Sequence, residues 1–264
     1  MAKYQRTVRR VVDTEAGAMG GAHRVRAVLE PGNWEEFDPF LLLMEDWFHP
    51  GTFGDHPHRG IETITYVIDG ELSHRDNHGN HGVLRPGDAQ WMTAGRGIIH
   101  SEEPSHGEVH SLQLWINLPK AQKMIEPRYT DMRGAEQAVR HDSGATVRMF
   151  AAPGAGHQPI AMVDFDLQAG ARATQELEPA VNAFLYILSG SGRIGGTEAH
   201  ATQVVWLEQW PEPSEVTIEA AEPLRAILWA GRPLREPVVA YGPFVMNTED
   251  EIRQAYADFR AGKF

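Results

Sequence analysis

The sequence predicts an all-β protein of two similar barrel-like halves, with one helix at its C-terminal end. Three observations carry this reading. First, 26 Gly and 17 Pro are spread through 264 residues and punctuate short apolar runs, the pattern of strands joined by turns. Second, Thr65-Tyr66-Val67-Ile68-Asp69-Gly70-Glu71 is echoed 120 residues later by Leu185-Tyr186-Ile187-Leu188-Ser189-Gly190-Ser191. Third, the length divides into two barrels of about 120–130 residues each, within the usual range for a domain.

The elements follow in order. Strands are expected at Glu62–Ile68, Gln90–Thr93, Leu112–Asn117, Thr146–Phe150, Ala161–Leu167, Ala183–Leu188, Gln203–Leu207 and Ala226–Ala230. Turn signals separate them at Asp69-Gly70, Asn77 to Gly79, Arg85-Pro86-Gly87-Asp88, Ser189 to Gly192 and Gly195-Gly196. Strands recurring at such short spacing make a barrel or a sandwich. Thr248-Glu249-Asp250-Glu251 is a capping box, and Ile252, Ala255, Tyr256 and Phe259 follow at helical spacing before Gly262. This helix is expected to lay an apolar face on a barrel wall. A shorter helix is expected around Lys120–Met124 or Asp131–Val139. The boundary falls in the polar stretch Pro127–Gly144, giving domains 1–130 and 131–264, the second carrying the terminal helix.

Composition removes several classes of function. Lys+Arg 24 against Asp+Glu 36 leaves a net charge of −12, the wrong sign for a general nucleic-acid binder. No apolar run approaches the roughly 18–20 residues of a membrane span. The opening MAKYQRTVRR has no apolar core behind its charges, so no secretory signal is expected. With no Cys there are no disulfides, thiolate ligands or cysteine nucleophiles. A soluble cytoplasmic protein is the expectation.

Histidine is unevenly placed. Nine of the 13 His lie between His49 and His110, which makes a metal or proton-transfer site the first thing to look for. In His56-Pro57-His58, residues two apart on a strand share a face; His100-Ser101-Glu102 has the same spacing. If the two segments are neighbouring strands, three imidazoles and one carboxylate converge. That N3O donor set suits Fe, Mn, Ni, Cu or Zn. The Gly-rich turn Ala94-Gly95-Arg96-Gly97 lets the chain bend before presenting His100.

The other polar residues of this stretch carry blander expectations. His74, His78 and His81 surround a hairpin tip and are expected in solvent. His106 and His110 are placed in a loop at the pocket mouth. Glu62, four residues after His58, competes with Glu102 for the carboxylate position. Trp91 and Trp115 are read as wall or core residues, and Gln113 as a hydrogen-bond donor behind the site.

Asp55-His56-Pro57-His58-Arg59-Gly60-Ile61-Glu62-Thr63, Pro86-Gly87-Asp88, the run Gln90 to Glu102, Leu112 to Pro119 and the stretch around 242–264 together resemble the cupin superfamily and, within it, the pirin family. The resemblance spans nearly the whole chain. It implies a bicupin, two jelly-roll-like barrels packed face to face, with metal in the N-terminal barrel alone, and a monomer. The family's metal ligands carry over to His56, His58, His100 and Glu102, with Glu62 standing behind them. At the 120-residue offset His56, His58 and Glu62 fall on Glu176, Glu178 and Asn182, so the second barrel is expected to be metal-free.

The resemblance also implies two functions. One is a quercetin 2,3-dioxygenase-like activity, in which one divalent metal ion binds a polyphenolic substrate, O2 cleaves the ring and CO is released. Fe(II) is the metal expected, with Ni, Cu, Mn or Zn able to take the same ligands. Glu102 would ligate the metal and accept the substrate's hydroxyl proton. The alternative is an iron-dependent, redox-sensing regulator that docks on a protein partner.

Overall fold

A computed structural model describes residues 3–18, 23–150 and 159–264. These residues form two compact units, each a pair of β-sheets around its own core. The expected strands are all present. Among the described residues no helix is long and apolar enough to cross a membrane.

The unit that carries the clustered histidines is built on eight strands. They are β1 (Phe40–Phe48), β2 (Phe53–His58), β3 (Ile61–Asp69), β4 (Leu72–Asp76), β5 (His81–Leu84), β6 (Ala89–Thr93), β7 (Ile98–Pro104) and β8 (Val109–Asn117). One sheet runs β6-β3-β8-β1 and is extended by Arg24–Leu29 and Ala16–Ala18 at one edge and by Arg128–Met132 at the other. The other sheet runs β2-β7-β4-β5. Along β3 the inward Thr63, Thr65 and Val67 alternate with Ile64 and Tyr66, and all five are buried. β-branched and aromatic residues fit such a two-sided strand. Phe48, Val67 and Val109 of the larger sheet close against Leu72 and Leu84 of the smaller.

The second unit repeats this plan. The eight strands that match those of the first are β9 (Ala161–Leu167), β10 (Arg172–Leu177), β11 (Asn182–Ser189), β12 (Ser191–Ile194), β13 (Thr197–His200), β14 (Gln203–Leu207), β15 (Ser214–Ala220) and β16 (Leu224–Gly231). They pair as β14-β11-β16-β9 and β10-β15-β12-β13, the order of the first unit strand for strand. The register repeats as well: Trp115 lies opposite Thr63 and Leu42 in the first unit, as Ala230 lies opposite Ala183 and Ala161 in the second. The faint sequence echo is therefore a duplicated jelly roll.

Three expectations about the connections need correction. The stretch 131–139 is not a helix: it ends the strand Arg128–Met132, passes through one 3-10 turn at Gly134–Glu136 and starts the strand Ala138–Asp142. The region 120–124 keeps only the 3-10 turn Lys120–Gln122. The domain division also differs at both chain ends. Residues 3–15 group with the second unit, and Leu234–Phe264, terminal helix included, groups with the first.

The physical reason for the last difference is a set of anchors. Helix Glu249–Arg260 starts at the expected capping box, with Thr248 and Glu251 satisfying each other's backbone amides. Its buried Ile252 and Ala255 pack on Phe244 and Met246 of the hairpin Val239–Tyr241/Phe244–Met246. Arg59, next to His58, bonds Asp258 of the helix at 3.0 Å and stacks over Phe264. Gly60 has φ +79°, and a Cβ there would sit 2.0 Å from the Val245 carbonyl oxygen, so only glycine permits this approach.

Below these contacts lies Lys123, 1% exposed. Its ammonium donates to the carbonyls of Gly60 (2.8 Å) and Val245 (2.9 Å) and to Asn117 Oδ1 (2.7 Å). Three N–H groups meet three acceptors, which offsets part of the cost of burying the charge; burial still pushes the ammonium down to about 7. Lys123→Met would leave those acceptors unpaired, an expected loss of about 3 kcal/mol. Urea unfolding together with faster amide exchange in 239–246 would show it; unchanged stability would mean that Lys123 is not the tie.

Candidate metal centre

β2 and β7 are antiparallel neighbours, and their register sets His100 directly opposite His56. His58 follows two residues after His56, on the same face. The three imidazoles accordingly meet: ring centroids are 4.3 Å apart for His56–His100, 4.9 Å for His56–His58 and 5.0 Å for His58–His100. One nitrogen from each lies within 4.8 Å of the others. The bend before His100 comes from Gly95 and Gly97, with φ of +50° and +145°, as the turn sequence requires.

Each ring is set up to offer a lone pair. His56 Nδ1 is engaged with the Gly54 carbonyl at 2.8 Å, which leaves Nε2 facing its neighbours. His100 Nδ1 is engaged with His74 Nε2 at 3.0 Å, and His100 Nε2 has no partner. His58 makes no well-formed hydrogen bond at either nitrogen, only a weaker contact with the Pro243 backbone. Burial, and then the neighbouring His56, push the His58 imidazole down to about 3, against the opposing pull of the Pro243 backbone. Burial and the rings of His58, His56 and His74 hold His100 well below the usual imidazole range. Both rings are therefore neutral at physiological pH, the form that binds metals. Orphaned ring nitrogens would cost on the order of 1–3 kcal/mol each if left so. A divalent cation satisfies them, and these residues fit one.

Glu102 is 4% exposed and lines the same cavity, but it is not among the tightly grouped nitrogens. Thr65 Oγ1 donates to its Oε1 at 2.8 Å, and Gln113 Nε2 donates to its Oε2. Trp115 Nε1 donates to Gln113 Oε1 at 3.1 Å, while its ring meets His58 edge-on at 4.9 Å. The chain Trp115–Gln113–Glu102–Thr65 thus fixes the carboxylate beside the imidazoles. The cavity they share has a volume of about 250 Å³, and Phe48, Phe53, Leu72, Asp46, Ser111 and the hairpin tip Gly242-Pro243 complete its wall.

Several expectations turn out differently. His74 is not in solvent: it is completely buried on β4, opposite Glu102 of β7, and supports His100. Its alternation with buried Leu72 was the available signal. His78 and His81 are exposed at the turn. His106 and His110 do not reach the cavity; His110 bonds Glu45 at 2.8 Å and stacks on Trp47. Glu62 alternates with Thr63 and points to Thr93, whose hydroxyl donates to it at 2.7 Å, so it stands outside the cavity wall. Asp46 and Thr65, which do line it, were not singled out. Glu45-Asp46 interrupts the otherwise apolar strand Phe40–Phe48, a cue that was there to read.

At most of the matching ladder positions the second unit is apolar. Leu185, Leu228 and Ala226 stand where Thr65, Gln113 and Ser111 stand in the first, and Ile218 opposite Ile194 takes the place of Glu102 opposite His74. Val216 opposite Gln175 takes the place of His100 opposite His56, one residue from the Glu176 that a constant offset gives. These apolar residues belong to one continuous core cluster.

His58→Ala, His100→Ala and Glu102→Ala should each sharply reduce bound metal, measured by elemental analysis after reconstitution. Glu176→Ala, at an exposed side chain paired with Lys3, should leave it unchanged. His74→Ala should weaken affinity about 10–100-fold, the usual effect of removing a ligand's supporting hydrogen bond, in a chelator competition assay. Full metal in His58→Ala protein would sink the assignment.

Comparison with known proteins gives a consistent picture. Residues 22–116 match the model of the family described as Pirin, and residues 162–264 match the Pirin C-terminal cupin domain. Pirin from Homo sapiens is 40% identical over 262 residues, covering 92% of this chain and 89% of that one. A crystal structure of a Geobacillus kaustophilus protein is 49% identical with a TM-score of 0.86, covering 90% of this chain and 100% of that one. The crystal structure of quercetin 2,3-dioxygenase from Acinetobacter baumannii is 30% identical with a TM-score of 0.83, covering 98% of each. A duplicated jelly roll that follows human Pirin nearly end to end, and matches both pirin domain models in sequence order, belongs to the pirin family.

Proposed function

We propose that this pirin is a metal-dependent dioxygenase that cleaves quercetin-type flavonols with O2 and releases CO. One observation carries the proposal: the imidazoles of His56 and His58 and the Glu102 carboxylate line a cavity whose remaining wall is largely aromatic and aliphatic, with His100 grouped against the two rings. The likeness to a quercetin 2,3-dioxygenase over 98% of both chains supports it.

A bound divalent ion, Fe(II) in our reading, supplies a Lewis acid that lowers the pKa of a coordinated hydroxyl. His56, His58, His100 and Glu102 would hold it, and Ni, Cu, Mn or Zn would suit the same N and O donors. Thr65 and Gln113 aim the Glu102 carboxylate. Phe48, Phe53 and Trp115 give a flat polyphenol apolar surfaces to lie against, the usual division of labour in a small-molecule site. Burial of the site limits competing water.

The test is oxygen consumption with parallel detection of CO, after anaerobic reconstitution with Fe(II) and addition of quercetin, with His58→Ala as control. Stoichiometric CO over many turnovers, lost in the variant, is expected. Metal binding without turnover would replace this proposal with that of a redox-responsive regulator docking on a protein partner.

A further inference from the structure

Glu102 is poorly placed to take a proton from a substrate, since both of its oxygens already accept hydrogen bonds from Thr65 and Gln113. A second acid lines the same cavity. Asp46 lies on β1, opposite Ser111 of β8 and Val25 of the neighbouring strand, with its side chain about one-tenth exposed. Among the described residues it makes one side-chain hydrogen bond: His23 Nε2 meets Oδ1 at 2.7 Å. Oδ2 makes no hydrogen bond among the described residues, and Asp46 lines the cavity.

Nothing in the fold requires an acid there. At the matching ladder position of the second unit, opposite Ala226, stands Phe165, part of that unit's apolar core. The same jelly roll thus closes with an aromatic ring where this cavity has a carboxylate. The orienting His23 is itself held edge-on by Phe53 at 5.2 Å and Phe48 at 6.3 Å, two other residues of the cavity wall.

We propose that Asp46, oriented by His23, is the base that accepts the hydroxyl proton of the bound flavonol. This role rests on the dioxygenase reading above. In the step, the flavonol O–H bond breaks, its electron pair stays on the flavonol oxygen, and the proton forms an O–H bond at Asp46 Oδ2. His23 keeps donating to Oδ1, and no oxidant or reductant is consumed.

The surroundings suit the task. Burial raises the Asp46 carboxyl; the His23 contact opposes this, and the charges of Glu102 and Glu45 add to it, which makes a stronger base. The other charged groups nearby are already paired. Arg26 and His110 go to Glu45, and Arg24 goes to Glu108.

The test is anaerobic binding of quercetin to the Fe(II)-loaded protein, with two readouts. Absorption reports whether the bound flavonol is ionised, and calorimetry in buffers of different ionisation enthalpy counts protons released to solvent. Wild type is expected to bind ionised quercetin while releasing almost no proton. Asp46→Asn should hold wild-type metal and either release about one proton per site or bind the neutral form, with turnover down roughly a hundredfold or more. His23→Leu, which keeps the carboxylate but not its orienting donor, should lower kcat more than it alters KM and move the pH profile, and His23→Gln should restore much of the loss. The same proton count and absorption in wild type and Asp46→Asn, or no effect of His23→Leu, would overturn the role of Asp46 and leave the dioxygenase reading standing. Failure of the wild type to bind quercetin would overturn both.

Discussion

The site depends on one register: the antiparallel pairing that puts His56 of β2 opposite His100 of β7. Because side chains alternate with a period of two, that one alignment also brings His58 to the same face and Glu102 toward the interior. A slip of one residue between the two strands would leave His56 and His58 on the face opposite to His100 and Glu102. The register is held from both sides. Asn77 of the β4–β5 turn takes the Ile99 amide through its side chain, and Gly60 accepts Lys123 while its own amide reaches the Gly95 carbonyl. The metal-binding geometry is thus held by hydrogen bonds to the backbone of residues beside the imidazoles, Ile99 next to His100 and Gly60 two residues after His58.

The two units separate fold from function. Strand order and register are common to both, so neither explains why one groups three imidazoles. What differs is a handful of inward positions on the ladders. Thr65, Gln113, Ser111, Asp46, His74 and Glu102 of the first unit correspond to Leu185, Leu228, Ala226, Phe165, Ile194 and Ile218 of the second. The apolar set packs into one core cluster and needs no partner. The polar set must be hydrogen-bonded or face a ligand, since buried polar groups without partners are costly. A jelly roll tolerates either filling, and chemistry resides in the filling rather than in the topology.

This contrast explains what could be read from the sequence. His56-x-His58 and His100-x-Glu102 were legible because strand periodicity alone makes each a one-faced pair, and the capping box marked the terminal helix because its chemistry is local. His74 was misread because Arg75-Asp76-Asn77-His78-Gly79 looks like a solvated turn, and the strand entering that turn is only Leu72–Asp76. The partner of His74 is 26 residues away on β7. Asp46 escaped notice for a related reason, since its significance appears only when the ladder sets it against Phe165. Which unit the terminal helix joins was equally hidden. Lys123, Gly60 and Val245 are far apart in sequence, and no local pattern announces that three acceptors will share one ammonium.

Metal and fold are also linked energetically. In the protein alone, both nitrogens of His58, Nε2 of His100 and Nδ1 of His74 are buried without a well-formed hydrogen bond, a cost the fold must carry. Their surroundings are poor at relieving it by protonation, because burial and the crowding of like rings oppose the charged form. A cation relieves the three ligand nitrogens that face it, and it binds the folded unit rather than the unfolded chain, so occupancy adds to stability by mass action. The supporting structure must then keep the rings together before the ion arrives. That task falls to the β2–β7 pairing and to the hairpin tip Gly242-Pro243 at the cavity wall, tied down through Lys123 and Arg59. In this arrangement the C-terminal segment is part of the metal-binding unit, although 131 residues of sequence, 118–248, separate the end of β8 from the helix.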